Sequence, residues 1–377
     1  MKIVNLINYS KDLRLILLKE LLSSTKNIFI YGAGRCAKNT YRLLSEYRIN
    51  IKGYCVDPNY YTEGSFVDGV KIYNVDTLRS SDNELVIGFE NRGRALSVKE
   101  SFAQNGVKVY YFEDLFCFRQ MDYKFFIDNI NSYQKAYDLL EDELSKKILV
   151  AHINSRIAGD YTEIAKYDSK LKYGYDYDLL QLNSDDTFVD CGAFDGDTFL
   201  EVADYTHGRF KKHIAFEPDE KNVRKFSAKA KEYNNVIIIE KGVSDVNEVK
   251  NFYNDGSLYS NFVDSGLWGD KTRRDIYGDK DSFVSVPVCR MDDVLGGEPV
   301  SVIKMDIEGS ELDALKGARQ IIKKIPKLAI CIYHKSEDLF SCILFINSVV
   351  GEGLYKYYIR HHSDNIAETI LYAIPRR

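Results

Sequence analysis

Residues 302–309 read V-I-K-M-D-I-E-G, a short apolar run that closes on two acids and a glycine. A continuous apolar run bounded by turn residues fits a strand buried on both faces, as in a parallel sheet. Residues 187–198 follow the same plan as T-F-V-D-C-G-A-F-D-G-D-T. Each segment is expected to be a strand whose carboxyl end opens into an acid- and glycine-rich turn before a helix. Ligands of open α/β sheets bind at that edge. Two such edges in the C-terminal half predict a cofactor site beside a reaction site.

Outward from these segments, strand signals recur near 188–190, 213–216, Val236–Ile239, 284–288, Val302–Met305 and 328–333. The chain closes with 355–359 and 369–373, which alternate like an antiparallel pair. Upstream, residues 118–182 lose the strand signal. Phe126, Ile130, Tyr133, Tyr137 and Leu140 recur at spacings of three and four, predicting helices that link two domains. A first alternation occupies 27–116, with strands at Asn27–Tyr31, Ile51–Val56, 85–88 and 107–111. Helices are expected from the Gly32–Gly34 turn through Tyr47 and over 94–105. The reading is an α/β chain: a small Rossmann-like βαβ domain at 1–117, a helical linker at 118–182 and a second α/β domain at 183–377. The charged stretch 269–282 is expected to be a surface excursion.

The 377 residues carry 45% apolar and 28% charged side chains, an ordinary globular balance. A net charge of −5 argues against a chain built to neutralise nucleic-acid phosphates. Seven scattered cysteines without a C-x-x-C pair fit reduced thiols better than a disulfide framework or zinc site. The N-terminus is charged too early for a signal peptide, and 339–351 is too short to span a bilayer. A soluble cytoplasmic protein without a membrane span or nucleic-acid partner is expected. Self-association into a homo-oligomer is compatible with the sequence.

In the first edge, Asp190, Gly192, Ala193, Gly196, Asp197 and Thr198 form a turn in which glycine lets backbone approach a ligand. The helix that follows offers free N–H donors. The next strand ends A-F-E-P, and an acid at Glu217 can accept both hydroxyls of a ribose. A third ends K-G-V-S-D, where Val243, Ser244 or Asp245 can meet an adenine. No G-x-x-x-x-G-K-[ST] occurs, so an ATP phosphate cradle is not expected. The acidic loop 195–197 suits a ligand without phosphates.

These motifs, with I-K-M-D-I-E-G-S-E-L-D-A-L-K-G-A, make residues 187–375 resemble the FkbM family of S-adenosylmethionine-dependent methyltransferases. The resemblance covers about half of the chain. It implies a class I methyltransferase sheet of seven strands ending in an antiparallel strand. It also implies that Gly192 and Gly196 line S-adenosyl-L-methionine, Glu217 holds its ribose and Val243, Ser244 and Asp245 flank its adenine. The acceptor it implies is a hydroxyl of a sugar, glycan or sugar-bearing metabolite, in surface polysaccharide biosynthesis.

Methyl transfer to a hydroxyl needs alignment and a group that takes the proton. Asp306, at the end of the fourth strand, is expected at the methyl-transfer point, where it also touches the cofactor. His334, at the end of the fifth, is the candidate general base. Glu308, Lys335 and Arg360 are the candidate substrate contacts, Lys335 for an anionic substrate. Arg360-His361-His362 is expected at a solvated hairpin tip, and Ser310 with Asp313 resembles a capping box. Asp306 with Glu308 or an acid from 195–197 could in principle hold Mg²⁺, but no tight ligand cluster is visible, so no metal is expected. The amine-methylating [DN]-P-P-[FYW] edge is replaced by Asp306-Ile-Glu-Gly, which steers the acceptor toward oxygen.

In the first domain, Gly32-Ala-Gly34-Arg-Cys-Ala37 is a G-x-G-x-x-A turn, with Asp57 closing the second strand 20 residues beyond Ala37. Gly32, Gly34 and Asp57, with help from Arg92 and Arg94, are candidate contacts for a nucleotide, such as that of a nucleotide-linked sugar. A packing or dimerisation domain accounts for the motif equally well. A working dehydrogenase is disfavoured by the lack of a Y-x-x-x-K pair in 1–117. The competing functions are a nucleotide-sugar oxidoreductase or epimerase centred on this domain, and a cofactor-binding scaffold without catalysis.

Overall fold

The computed structural model describes residues 2–89, 91–113, 121–253, 261–262 and 283–376. The predicted excursion at 269–282 lies outside them. The chain divides into two compact units: Tyr9–Cys117 with Ser155–Tyr161, and Met1–Asn8 with Phe118–Asn154 and Thr162–Arg377. The stretch 118–182, expected as a helical linker, falls mostly within the C-terminal unit. Among the described residues no helix is long and apolar enough to cross a membrane.

The smaller unit is built on β1 (Asn27–Tyr31), β2 (Ile51–Val56), β3 (Phe66–Val67), β4 (Val70–Asn74), β5 (Asn83–Ile87) and β6 (Lys108–Tyr110), in the order β3-β4-β2-β1-β5-β6. All pairs are parallel except β3 with β4. Side chains alternate between faces along each strand. Ile28 and Ile30 join Tyr54, Val56 and Val86 in one core, while Phe29 and Tyr31 join Cys55, Leu85 and Ile87 in the other. The continuous apolar run N-I-F-I-Y is therefore a central strand buried from both sides, with helices Arg35–Glu46 and Arg92–Ala103 in the same unit.

The larger unit runs through β7 (Thr187–Cys191), β8 (Lys212–Phe216), β9 (Val236–Ile239), β10 (Gly242–Val243), β11 (Glu248–Tyr253), β12 (Asn261–Phe262), β13 (Phe283–Cys289), β14 (Val302–Met305), β15 (Lys327–Cys331), β16 (Tyr355–His361) and β17 (Thr369–Pro375). Its main sheet has the order β16-β17-β15-β14-β7-β8-β9. β17 inserts antiparallel between β15 and β16, and the remaining pairs are parallel. The strand expected at 284–288 is not in this sheet. It is β13, which joins β10, β11 and β12 in a separate four-stranded sheet. The aromatic rings of Phe188, Phe199, Phe210 and Phe226 pack around the buried His213 ring on one side of the main sheet.

Arg360 and His361 correct the expected hairpin tip. Both lie inside β16, and His361 is buried with its Nδ1 2.8 Å from Thr369 Oγ1. Burial pushes both His361 and His362 down to about 4. The alternation of Y-K-Y-Y-I-R-H continues through the histidine, so the strand is one full residue pair longer than the apolar signal alone implied.

Candidate active site

β7 and β14 are neighbours with Lys304 opposite Asp190, which brings the two decisive sequence segments to one sheet edge. Gly192 occupies the left-handed region with φ +77°, and a Cβ there would lie 1.9 Å from the Asp306 carbonyl oxygen. Only glycine lets the two turns approach so closely. Asp306 N–H continues the ladder by donating to Cys191 O at 3.1 Å. Gly317 serves a similar purpose in the helix Glu311–Gly317, where a Cβ would meet the Ser244 carbonyl oxygen at 2.0 Å.

A cavity of ≈ 330 Å³ opens at this edge, within the size range of small-molecule sites. Its lining includes Gly192, Phe194, Thr198, Asn222, Gly242 and Val243 from the glycine turn and the ends of the following strands. Gly174 and Tyr175, from the helical stretch before β7, line it too. Among the described residues, the carboxylates of Asp197, Glu201, Glu217, Asp306, Glu308 and Glu368 face it, against the single ammonium of Lys304. Phe194, Glu308 and Glu368 hold positive φ values of 46°, 54° and 58°. Such strain in non-glycine residues is retained where surrounding structure over-determines it, and it concentrates at ligand sites.

Glu217 is buried at the end of β8. Its Oε2 accepts from Phe194 N–H and its Oε1 from Asp219 N–H, both at 2.9 Å. Burial outweighs these bonds and pushes the carboxyl up to about 7. Asp197 and Glu201 are also raised by burial. Glu201 additionally ties down the preceding segment by accepting from Gly174 N–H at 3.1 Å and Tyr177 Oη at 3.0 Å.

Asp190 does not line the cavity. It is fully buried, 2.9 Å from Lys304 Nζ and 3.6 Å from His213 Nε2. Burial alone would raise its carboxyl, but Lys304 and His213 hold it below its ordinary range. Lys304 also donates to Gly192 O at 2.8 Å, so the pair shapes the glycine turn from beneath. Lys304 was not among the expected site residues. The available signal was an ionisable residue inside an otherwise apolar strand, which demands a partner. Glu368 and Tyr175 are not legible because segments remote in sequence bring them to the site, and Glu201 stands one turn beyond Asp197 in the helix after the glycine turn.

The turn after β14 is organised by Glu311 rather than by a capping box. Ser310 makes no side-chain cap, and Asp313 pairs with Lys316 at 2.8 Å. With Glu308 and Gly309 at positive φ, Glu311 instead reaches back to accept from Ile307 N–H at 3.0 Å. Its Oε1 also lies 2.9 Å from His334 Nδ1. On the other side of that ring, His334 Nε2 stands 3.5 Å from both Asp306 Oδ1 and Glu308 Oε2. Tyr333 Oη donates to Asp306 Oδ1 at 3.1 Å. Burial works against charge on His334, but Glu311 and Glu308 outweigh it and raise the imidazole well above its usual range.

His334 has only 1% of its side chain exposed and is absent from the cavity lining, unlike Asp306 and Glu308. The expected general base is a buried ring backing two partly buried carboxylates that line the cavity. The expectation that no ligand cluster exists is also corrected. One donor atom each from Asp306, Glu308 and His334 lie within 4.8 Å of one another. The sequence hid this because His334 reaches the acids from another strand.

Other expected contacts stand apart from the cavity. Ala193 is buried, donating its N–H to Phe216 O, while Gly196 packs against the Phe226 ring. Ser244 and Asp245 follow Val243 but do not line the cavity, and neither does Lys335, whose N–H donates to Asp338. Arg360, expected to touch substrate, is taken by Asp142 at 2.7 Å and Ser145 at 3.0 Å.

In the smaller unit, Gly32 has φ +119° and sits close to Gly88, whereas Gly34 has an ordinary conformation with open space around it. Asp57 already accepts from Tyr31 Oη and is ion-paired with Arg94. The acid expected to receive ribose hydroxyls is thus engaged within the protein.

A search of the curated proteins found no match. Among solved structures, the chain resembles the methyltransferase FkbM from Methylobacillus flagellatus KT with a TM-score of 0.74 and 22% identity, over 97% of this chain and 94% of that one. An rRNA methylase from Streptococcus thermophilus gives a TM-score of 0.33 and 16% identity, over 53% of this chain and 93% of that one. Fibrillarin from Aeropyrum pernix gives 0.30 and 11%, over 51% and 69%. The last two scores are too low to decide anything further. The first shows the fold across nearly the whole chain. The model of the methyltransferase FkbM domain matches residues 190–352, which hold the segment 302–309, all but the first three residues of the segment 187–198, and the Asp306–Glu308–His334 cluster.

Proposed function

We propose that the protein is an S-adenosylmethionine-dependent O-methyltransferase whose acceptor is a hydroxyl of an uncharged carbohydrate, in the assembly of surface polysaccharide. The observation that carries the reading is the cavity lining: six carboxylates against one ammonium already paired with Asp190. That field favours a cationic ligand without phosphates. Bound there, S-adenosylmethionine supplies an activated methyl group on a sulfonium. Gly192 and Phe194 line the space for its nucleoside, Glu217 accepts from the ribose hydroxyls, and Gly242 and Val243 lie on the adenine side.

Asp306 and Glu308 face the acceptor side of the cavity with Glu368, and carboxylates are strong acceptors for the hydroxyls of a neutral sugar. Asp306 or Glu308 takes up the proton that the acceptor hydroxyl loses. His334 stands behind them as a positioning residue. A nucleotide diphosphate is a poor fit to this acidic lining, which favours the sugar hydroxyl alone as the group that enters. An oxidoreductase centred on the smaller unit gains no support, because Asp57 is occupied by Tyr31 and Arg94.

The test is incubation with methyl-labelled S-adenosylmethionine and a panel of neutral saccharides, with mass spectrometry locating the label. Labelled methyl ethers are expected, and Asp306→Asn should lower their formation by roughly 10²–10⁴ while the affinity for S-adenosylhomocysteine stays within a few-fold. Absence of S-adenosylhomocysteine binding, or label found on nitrogen, refutes the assignment.

A further inference from the structure

We propose that Asp306, Glu308 and His334 form a divalent-cation site at the edge of the cavity, taking Mg²⁺ or Mn²⁺ and leaving coordination positions open for the acceptor oxygen. This rests on the methyl-transfer reading of the same cavity and names the group that would hold the acceptor.

The first observation is the convergence of three donor atoms within 4.8 Å, two carboxylate oxygens from the turn after β14 and one ring nitrogen from the end of β15. The second concerns His334 itself. Its ring is buried, and Nε2 has no hydrogen bond of ordinary length, its nearest carboxylate oxygens being at 3.5 Å. This nitrogen points at the two acids that would complete the coordination. On the far side of the ring, Nδ1 faces Glu311 Oε1 at 2.9 Å. A carboxylate behind the distal nitrogen is the arrangement that fixes a metal-binding histidine in the tautomer with its other lone pair free. Tyr333 Oη orients Asp306 in a comparable way, through its bond at 3.1 Å.

The dimensions and donors agree. Ligands about 2.0–2.2 Å from a small divalent cation sit roughly 3 Å apart when adjacent, so separations of 3.5 Å close with small side-chain rotations. The two carboxylates are the oxygen donors that suit Mg²⁺ and Mn²⁺, the imidazole nitrogen favours Mn²⁺ of the two, and Asp306 and Glu308 face the cavity, where further ligands can enter. The bound cation would accept the hydroxyl oxygen of the substrate and lower its pKa. As the methyl carbon–sulfur bond breaks and the carbon–oxygen bond forms, the hydroxyl proton passes to the uncoordinated oxygen of Asp306 or Glu308 and the electron pair of the broken bond stays on sulfur.

The experiment titrates Mn²⁺ into EDTA-treated full-length protein, followed by electron paramagnetic resonance. Calorimetry with S-adenosylhomocysteine and thermal unfolding accompany it on the same samples. Saturable binding of a single Mn²⁺ per chain is expected, with nitrogen coupling from one imidazole. Glu308→Gln should weaken it roughly tenfold or more, and His334→Gln should abolish the nitrogen coupling. If S-adenosylhomocysteine binds but Mn²⁺ does not saturate at millimolar concentration, the cation site is refuted and the methyl-transfer reading stands. Mn²⁺ binding without nitrogen coupling in the wild type overturns the ligand set. Failure of S-adenosylhomocysteine to bind refutes the underlying reading, and the cation proposal falls with it.

Discussion

Lys304 Nζ and Asp190 Oδ1 lie 2.9 Å apart across two central strands, each side chain almost wholly out of water. The same ammonium donates to Gly192 O, which couples a buried ion pair to the backbone of the cavity. A charge pair in this setting contributes little net stability against an apolar alternative, but leaving one member alone is costly. Its retention in the middle of the sheet is explained by the shape it imposes on the Gly192 turn.

Lys304→Met should therefore destabilise the larger unit by about 3–5 kcal/mol, by stranding the Asp190 carboxylate. Lys304→Met combined with Asp190→Asn should recover a large part of that loss but not the affinity for S-adenosylhomocysteine. Urea unfolding and calorimetry on the three proteins separate the two effects. Equal destabilisation by the single and double variants contradicts this account.

Gly192→Ala should lower S-adenosylhomocysteine affinity by roughly tenfold or more, because the new Cβ meets the Asp306 carbonyl oxygen and the left-handed φ penalises alanine. Gly34→Ala is the control, with ordinary backbone and open space around it. Calorimetry should show that second variant binding like the parent.

How far the sequence carried follows from these same residues. Central strands such as 302–305 were legible because burial on both faces leaves a continuous apolar run, and the turns after them announced themselves by glycine and acid. The glycine at 192 is readable as a close approach, though not what it approaches, whereas the approach of Gly317 to Ser244 needs the structure. Lys304 was missed because a charge in such a run resolves only when its partner strand is known. His334 is legible at the strand end, but not its burial: the acids enclosing it come from the segment after β14, which only the fold brings to the ring. Arg360 was taken for a substrate contact because its partner Asp142 lies more than two hundred residues away.

Cofactor affinity should fall as pH drops through about 7, the value to which burial pushes Glu217. In the proposed role of Glu217, ribose hydroxyls would donate to the ionised carboxyl, so binding would favour loss of the proton and acid would oppose it. Below that point the dissociation constant should rise by up to about tenfold per pH unit. Asp197 and Glu201, both raised by burial, face the same cavity. Glu217→Gln isolates the effect: its affinity should be lower at pH 8 and should lose this step. An unchanged pH profile in that variant would reassign the titration to its neighbours.

Arg360→Ala should leave the KM for substrate unchanged and cost stability instead. The guanidinium reaches from β16 to Asp142 and Ser145, and Asp142 in turn accepts Ser145 N–H at 2.8 Å where the helix Glu143–Ala158 begins. Ser145 Oγ also accepts Ile359 N–H at 2.9 Å, so the arginine completes a clamp between helix and sheet. The pair is partly exposed, which limits the expected loss to about 1 kcal/mol. Burial alone would raise the Asp142 carboxyl, but its bonds from Arg360 and Ser145 hold it below the ordinary carboxylate range. Its contribution is therefore present above the unfolded-state value near 3.8 and is lost as pH falls through the lower folded value. Thermal unfolding of parent and variant should thus differ at pH 7 and converge in strong acid. A raised KM with unaltered unfolding would return Arg360 to the substrate.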